Sequence, residues 1–321
     1  MKKLTILGSI HPDAMALAEA RPDVEVTVAP GIHLPPDEIL AVAEGAHAIG
    51  VRNAILRKDL LQQLPDLEII SRHGVGCDSI DVDWMSAHGK PVAIAVGGND
   101  SSVAEHTLAM MLTLARDLAN QHEGVAAADW AVRQRVRPFD IRGKTLLIVG
   151  FGRIGSRVAP LAKAFGMEVI AHDPYVTVTA DGVEQVATLS EGLARADVVT
   201  VHTPLNAETR GLIGAQALAT MPPGALLINN ARGGICDETS VAEALISGHL
   251  AGHGVDVFDG EPVDPANPLL TAPNTLMTPH SASMTPQGMR AMATIMIQNI
   301  LDHFDGRLSP TMVFNRKELG L

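Results

Sequence analysis

The chain has 321 residues, a length that predicts two domains. Hydrophobic residues make up 46% of it and aromatic residues only 3%, so its cores must consist of aliphatic side chains and methionine, as in parallel sheets covered by helices. The formal net charge is −12 and no basic run interrupts the acidic composition, so we expect no nucleic acid partner.

The N-terminal sequence MKKLTILGSIHPDA places two lysines before an apolar run, as a signal peptide would. The run at 4–10 is short, contains Gly8 and is followed by HPD, so it is better interpreted as a first strand. A run of roughly 18 apolar residues does not occur, so we expect no membrane partner. Cys77 and Cys236 lie outside any C-x-x-C pair, which predicts neither a metal site nor a disulfide scaffold. We therefore expect a cytoplasmic protein.

Short apolar runs alternate with helical patterns along the chain. The first series of predicted strands lies at 4–7, 24–28, 48–51, 67–71 and 92–96, with helices at 12–20 and 37–44. After a helix at 102–118, a second series of strands lies at 145–149, 168–171, 198–201, 225–229, 254–257 and 275–277, and a helix at 286–304 follows it. This alternation predicts α/β domains with parallel sheets and right-handed crossovers.

The most informative segment is LLIVGFGRIGSRVA, in which an apolar strand runs into Gly150, Gly152 and Gly155 and then into a helix. The first glycine permits a tight turn, the second lets a pyrophosphate approach the backbone, and the third lets helix and strand pack closely. The helix N-terminus then offers free N–H groups to the phosphates. This pattern predicts a dinucleotide site.

Asp173 follows Gly150 by 23 residues, just past the next predicted strand. This spacing fits a carboxylate that binds the adenine ribose hydroxyls. A carboxylate would repel a 2′-phosphate and no arginine follows it directly, which favours NAD over NADP. The alternative is that Asp173 and Pro174 are ordinary turn residues.

Three polar residues follow the last strands of the same domain. Arg232 ends the strand at 225–229, and its planar donors suit a carboxylate and a carbonyl together. Its neighbours Gly233 and Gly234 would keep the surroundings free of bulk. Glu261 and His280 follow the next two strands, and a histidine can transfer a proton near neutrality when an acid orients it. Each alone could be a solvated loop residue, but ligands bind at the carboxyl ends of parallel strands, so together they predict an active site.

At these motifs the chain resembles the D-isomer-specific 2-hydroxyacid dehydrogenases, which include phosphoglycerate dehydrogenases. The resemblance covers almost the whole length and rests on RHGVGCDSID (72–81), NDSSVAEHTLAMML (99–112), GKTLLIVGFGRIG (143–155), HTPLNAETRGLIG (202–214), NNARGGICDE (229–238), GVDVFDGEP (254–262) and TPHSAS (278–283). It implies two doubly wound parallel-sheet domains of Rossmann or flavodoxin type. The NAD-binding domain, at 100–285, would be inserted in the sequence of a substrate domain at 1–99 and 286–321.

The resemblance also implies roles for single residues. Arg232, Glu261 and His280 would be catalytic. The NAD contacts would be Gly150, Gly152, Arg153, Ile154, Gly155, Asp173, His202, Thr203, Pro204, Ala231, Val103 and Asp256, the last of these on the nicotinamide carboxamide. The substrate contacts would be Arg52, His73, Gly74, Val75, Gly76 and Asn99. Backbone N–H groups between glycines suit the substrate carboxylate.

The activity implied is NAD-dependent interconversion of a D-2-hydroxy acid and a 2-oxo acid, with 3-phosphoglycerate or glycerate/hydroxypyruvate as the best candidates and lactate-like acids still open. Arg52 resembles an arginine that reaches the substrate in phosphoglycerate dehydrogenases, or it is a surface arginine. The segment around Trp130 resembles a dimerisation arm, which implies a homodimer. Two departures from the family pattern leave the substrate open. The chain ends at Leu321, without the C-terminal regulatory domain of some relatives. Gly97 and Gly98 precede Asn99, where other members carry other residues.

Two other functions of the same fold stay open at this stage. A nucleotide-sensing corepressor could keep the catalytic trio, although the chain shows no long tail or added peptide-binding module. Formate dehydrogenases resemble this family but carry glutamine as the partner of the histidine, and Glu261 argues against that function.

Overall fold

The computed structural model describes residues 1–31 and 34–321, which form two compact units. The first unit comprises Met1–Asn99 and Met284–Leu321, and the second comprises Asp100–Ser283. Each unit contains one parallel sheet covered by helices on both faces, so the predicted fold class is confirmed. Among the described residues, no helix has both the length and the apolar character needed to cross a membrane.

The sheet of the first unit has the order β2-β1-β3-β4-β5, which is the flavodoxin-type arrangement. Its strands are β1 (Lys2–Leu7), β2 (Val24–Val28), β3 (Ala48–Val51), β4 (Ile69–Arg72) and β5 (Val92–Ile94). Its helices are α1 (Pro12–Glu19), α2 (Pro36–Val42), α3 (Lys58–Leu61), α4 (Val82–Ala87) and, at the other end of the chain, α11 (Pro286–Phe304). Every residue of β3 is buried, which is why central strands of this kind are continuous apolar runs in the sequence.

The second unit has a seven-stranded sheet. Its strands are β6 (Thr145–Val149), β7 (Glu168–His172), β8 (Val183–Gln185), β9 (Val198–Val201), β10 (Ala225–Asn229), β11 (Leu250–Val255) and β12 (Thr275–Met277). Its helices are α5 (Asp100–Ala115), α6 (Leu118–Ala126), α7 (Gly155–Ala164), α8 (Leu189–Arg195), α9 (Ala215–Thr220) and α10 (Glu238–Ile246). The order β12-β11-β10-β9-β6-β7-β8 reverses direction between β6 and β9. Such a switch point opens a crevice beyond the carboxyl ends of the strands.

Two elements of the second sheet differ from the prediction. The strand predicted at 254–257 is Leu250–Val255, so Asp256 is the first residue after the strand. The start of β11 was not recognised in the sequence, because its glycines weaken the apolar pattern. A Cβ on Gly254 would lie 3.2 Å from Cβ of Met110 in α5, so the bare glycine lets this helix pack against the strand. The edge strand β8 was missed because its sequence, VEQ, is polar and mostly exposed.

Candidate active site

The glycine-rich turn lies at the point where the strand order of the second sheet reverses. Gly150 follows β6 with a φ of +91°, and a Cβ there would lie 2.8 Å from the carbonyl group of His202. A Cβ on Gly155 would lie 2.3 Å from the carbonyl oxygen of Gly150, so α7 can begin this close to the strand only without a side chain. A Cβ on Gly152 would meet no atom within 4 Å. The turn therefore leaves open space in front of the N-terminus of α7, as a pyrophosphate requires.

Asp173 follows β7 and is bonded to this turn. Its Oδ2 accepts a hydrogen bond from the N–H of Phe151 at 2.8 Å, and its Oδ1 accepts from the N–H groups of Tyr175 and Val176 at 2.9 and 3.0 Å. A carboxylate offers about four lone-pair positions, so one at Oδ2 is left for a further donor. The hydroxyl of Tyr175 donates to Glu208, which brings a second carboxylate to this edge. This arrangement is consistent with the predicted contact to ribose hydroxyls.

Two polar atoms beside Gly150 are buried without a hydrogen-bond partner among the described residues, Nδ1 of His202 and Oγ1 of Thr203. Nε2 of His202 lies 3.0 Å from the hydroxyl of Thr200. Burial lowers the pKa of His202 to about 4, so its imidazole is neutral at physiological pH. Buried polar atoms in native proteins nearly always have partners, so these two atoms indicate a polar ligand. The open glycine turn and these atoms fit a dinucleotide.

Asn229, the last residue of β10, shapes the loop that carries Arg232. Its buried side chain accepts from the N–H of Ala231 at 3.1 Å and donates to the carbonyl oxygen of Arg232 at 2.9 Å. The Arg232 guanidinium donates to the carbonyl oxygen of Ala231 at 2.7 Å. A Cβ on Gly233 would lie 2.0 Å from the carbonyl group of Phe258. Gly233 is thus needed for the contact between the loops that follow β10 and β11. It does more than keep the surroundings of Arg232 free of side chains.

Glu261 and His280 form a hydrogen-bonded pair, with Oε2 of the acid 2.7 Å from Nδ1 of the imidazole. Oε1 of Glu261 accepts from the N–H of Phe258 at 3.1 Å. Burial raises the pKa of Glu261, but the hydrogen bond from His280 and the charges of His280 and Arg232 outweigh burial and hold this pKa below its ordinary value. The carboxylate is therefore ionised near neutrality. It fixes Nδ1 of the imidazole and leaves Nε2 as the atom that can exchange a proton.

Asp256 anchors the loop that carries His280. Its carboxylate, only 1% exposed, accepts from the N–H groups of Ser281 and Ala282 at 2.8 and 2.9 Å and from the hydroxyl of Thr278. Its backbone carbonyl accepts from the N–H of His280 at 2.8 Å. His280 itself has a φ of +50°, a left-handed conformation that is uncommon outside glycine. The contact of Asp256 with the nicotinamide carboxamide stays a prediction.

Sequence reasoning missed two residues next to Asp256. Nε2 of His106 lies 3.1 Å from Oγ1 of Thr278 and 4.0 Å from Oδ1 of Asp256. His106 belongs to α5, whose apolar pattern is that of an ordinary core helix, and no motif spacing includes it. The available signal was a partly buried histidine in a mostly apolar helix, since such a side chain needs a hydrogen-bond partner.

In the first unit, the loop after β4 holds the residues predicted to bind the substrate carboxylate, Val75 included. Gly74 has a φ of +138°, and a Cβ there would meet no atom within 4 Å. Nε of Arg72 donates to the carbonyl oxygen of Gly76 at 2.8 Å and so fixes the loop. Burial, with a further effect from the charge of Arg52, lowers the pKa of His73 to about 4. Its Nε2 is buried without a partner in the described part of the chain, as is Oδ1 of Asn99.

Arg52 follows β3 in the same unit. Its Nη1 donates to the carbonyl oxygen of Ser9 at 3.2 Å, and its Nη2 lies 4.0 Å from Sδ of Met289. Burial lowers the pKa of this guanidinium. Within residues 1–31 and 34–321, no carboxylate forms an ion pair with Arg52. A half-buried guanidinium of this kind can bind an anionic ligand group.

The other predicted cofactor contacts lie at the carboxyl edge of the second sheet or on the helix that covers it. Arg153 and Ile154 belong to the glycine turn, Pro204 follows β9, Ala231 follows β10, and Val103 is buried in α5. The described residues contain no group of three or more His, Cys, Asp and Glu side chains that could hold a metal ion.

The switch-point turn, Asp173 and the Glu261–His280 pair together define an α/β protein with a dinucleotide site beside a hydrogen-bonded pair of an acid and an imidazole. Residues 108–282 match the family model described as "D-isomer specific 2-hydroxyacid dehydrogenase, NAD binding domain". The chain belongs to the D-isomer-specific 2-hydroxyacid dehydrogenase family, and its second unit contains the NAD-binding domain of that family.

The chain is similar to two enzymes and to one solved structure over most of its length. The D-3-phosphoglycerate dehydrogenase of Methanocaldococcus jannaschii is 36% identical over 98% of this chain and 59% of its own length. The (S)-sulfolactate dehydrogenase of Chromohalobacter salexigens is 38% identical over 92% of this chain and 96% of its own. The crystal structure of the TT0316 protein from Thermus thermophilus has a TM-score of 0.88 and 32% identity, covering 97% of this chain and 99% of that one. The chain thus spans little more than half the length of the phosphoglycerate dehydrogenase.

Proposed function

We propose that the protein is a dehydrogenase that uses NAD to interconvert a D-2-hydroxy acid and the corresponding 2-oxo acid. The observation that carries the proposal is the Glu261–His280 pair, joined at 2.7 Å at the sheet edge that also bears Arg232 and the glycine turn. A charged imidazole held by an ionised carboxylate is a suitable general acid for carbonyl reduction. Membership of the family supports the same reaction.

Bound NADH would supply the hydride for the carbonyl carbon. His280, held through Nδ1 by Glu261, donates a proton from Nε2 to the carbonyl oxygen during reduction and accepts it during oxidation. Arg232 binds the carboxylate and polarises the carbonyl through its planar set of donors. The resemblance to the family assigns the N–H groups of the loop at 74–76 to the substrate carboxylate.

We further propose that the substrate carries a second anionic group, with 3-phosphoglycerate as the first candidate. Arg52 supports this, because it is half-buried and makes its described hydrogen bonds to a carbonyl oxygen and a sulfur rather than to a carboxylate. The two similar enzymes are named for 3-phosphoglycerate and for sulfolactate, and each of these acids bears a second anion. Glycerate and hydroxypyruvate, which lack the second anion, are the alternative substrates.

The test is turnover of a panel of acids at fixed NAD: D-3-phosphoglycerate, sulfolactate, D-glycerate, D-lactate and formate. In Arg52→Ala we expect KM for the two-anion acids to rise about tenfold or more, while KM for D-lactate stays within about twofold, because a charge-assisted bond to the distal anion is lost. Arg57→Ala, at an exposed arginine of the same unit, is the matched control.

An equal rise for both classes of acid would show that Arg52 does not contact the distal anion. Binding of NADH without turnover of any acid would contradict the dehydrogenase and favour a nucleotide-sensing role, and turnover of formate alone would contradict the substrate class.

A further inference from the structure

We propose that His106 and Thr278 are positioning residues that hold His280 in its reactive orientation, acting through Asp256. This inference rests on the proposed function, because it concerns the proton donor of that reaction. The inference goes beyond the proposed function by assigning a role to a helix residue and a hydroxyl outside the catalytic trio.

The direction of the hydrogen bonds follows from the chemistry of the groups. Thr278 donates its single hydroxyl hydrogen to Asp256 Oδ1, because the carboxylate oxygen is the acceptor of this pair. Oγ1 of Thr278 must then accept from His106 at 3.1 Å, which requires the proton of His106 on Nε2. The result is a directed chain from α5 through Thr278 to Asp256.

The chain ends on the loop that carries the proton donor. The carboxylate of Asp256 binds the N–H groups of Ser281 and Ala282, and its backbone carbonyl binds the N–H of His280 itself. A rotation of this carboxylate would therefore displace both residues that follow His280. Since His280 has a φ of +50°, its backbone needs such support from neighbours.

A substitution of His106 leaves the proposed catalytic side chains unchanged, since His106 bonds to Thr278 and not to Glu261 or His280. His106→Leu and Thr278→Val each remove one link. His106→Gln keeps an N–H donor at similar reach, and Thr278→Ser keeps the hydroxyl. The exposed His122 of α6 provides a matched control as His122→Leu.

We expect kcat for reduction, at saturating NADH and acid, to fall about tenfold in His106→Leu and in Thr278→Val, because misplacement of a catalytic group slows the chemical step. The Gln and Ser variants should stay within about twofold of the wild type. The double variant His106→Leu/Thr278→Val should be no slower than either single variant, because both changes break the same chain. A loss that appears only in KM, or that is additive in the double variant, would overturn the proposal.

A second measurement does not depend on turnover. In protein with ¹³C-labelled histidine, the ring signal of His280 is assigned by its disappearance in His280→Gln. This signal should shift in His106→Leu and Thr278→Val and stay in place in the Gln, Ser and His122→Leu variants. An unmoved signal in the first two variants would refute the positioning role. If the signal behaves as expected while the wild-type protein turns over no acid, the proposed reaction fails and the positioning chain stands.

Discussion

Arg232 and His280, two residues of the proposed catalytic trio, are held in place by hydrogen bonds from neighbouring side chains. Asn229 holds the backbone on both sides of Arg232, Glu261 holds the imidazole of His280, and Asp256 holds the loop behind it. The contact between Glu261 and His280 was predictable, because both residues follow strands and belong to recognisable motifs. The anchoring role of Asp256 was not, because sequence spacing does not show which N–H groups a carboxylate will accept.

The Glu261–His280 pair makes a direct prediction about pH dependence. The pKa of Glu261 lies below its ordinary value, so the acid is ionised throughout the neutral range and stabilises the imidazolium. Reduction should therefore slow only as the pH falls through the lowered pKa of Glu261, where protonation removes the anionic partner of the imidazole. In Glu261→Gln no carboxylate titrates at this position, so kcat/KM for reduction should be lower near neutrality but should lack this acidic limb.

The measurement is a pair of pH–rate profiles, with Glu243→Gln on the exposed face of α10 as the control. An acidic limb that persists unchanged in Glu261→Gln would show that the charge of Glu261 does not support His280 in this way. A loss of NADH affinity would place Glu261 in a different role.

Asp173 predicts the choice of cofactor. Its carboxylate is fixed by three backbone N–H groups beside the glycine turn, where a 2′-phosphate would meet its charge. We expect kcat/KM with NAD to exceed that with NADP by at least tenfold, about 1.4 kcal/mol. In Asp173→Asn this ratio should shrink, and comparing both cofactors in the same variant cancels any damage to the turn. Equal efficiency with both cofactors in the wild type would refute this role of Asp173.

At the scale of elements, the sequence predicted most strands but not the close contacts between them. Continuous apolar runs identify buried parallel strands because both faces are covered, as in β3 and β10. The contacts depend instead on single glycines whose importance appears only in three dimensions. Gly254 lets α5 approach β11, and Gly233 lets two loops meet at the carboxyl edge of the sheet.

The loop contact at Gly233 can be tested by one added methyl group. In Gly233→Ala the new Cβ would lie 2.0 Å from the carbonyl group of Phe258, so the two loops must separate. We expect the free energy of unfolding to fall by about 1–3 kcal/mol and kcat/KM to fall as well, because Arg232 shifts with its loop. Gly31→Ala is the control, since its Cβ would meet only the side chain of Leu34, at 3.4 Å. Unchanged stability and rate in Gly233→Ala would contradict the contact.

At the scale of the whole molecule, the two units share an α/β architecture but differ in strand order. The alternation of strands and helices predicted the architecture, and the resemblance to the family implied doubly wound sheets, but neither gave the strand orders. Strand order depends on which crossover turns back over the sheet, and hydrophobic periodicity carries no information about this. The carboxyl edge of the second sheet could be predicted as the ligand edge, since that rule holds for every open parallel sheet.

The oligomeric state is the last prediction, and it concerns α6 and the short 3-10 helix Trp130–Gln134. Their large exposed apolar side chains are Leu118, Val125 and Trp130, which are 50%, 54% and 71% exposed. A Cβ on Gly124 would lie 2.6 Å from Cβ of Val132, so the two helices pack tightly against each other. Exposed apolar side chains that gather on one surface mark a site for a partner, and we expect these three to do so.

We expect a second copy of the chain to cover this surface, so that sedimentation shows a dimer at micromolar concentration. Trp130→Ser combined with Leu118→Asp should yield monomers, because the apolar area is lost and a charge would be buried. Ile246→Ser, on α10 and also 71% exposed, is the matched control and should remain dimeric. Because Trp130 would lose contact with water, its fluorescence should shift to shorter wavelength as the dimer forms. A wild-type monomer, or equal dissociation in the Ile246 variant, would show that this surface does not join two copies.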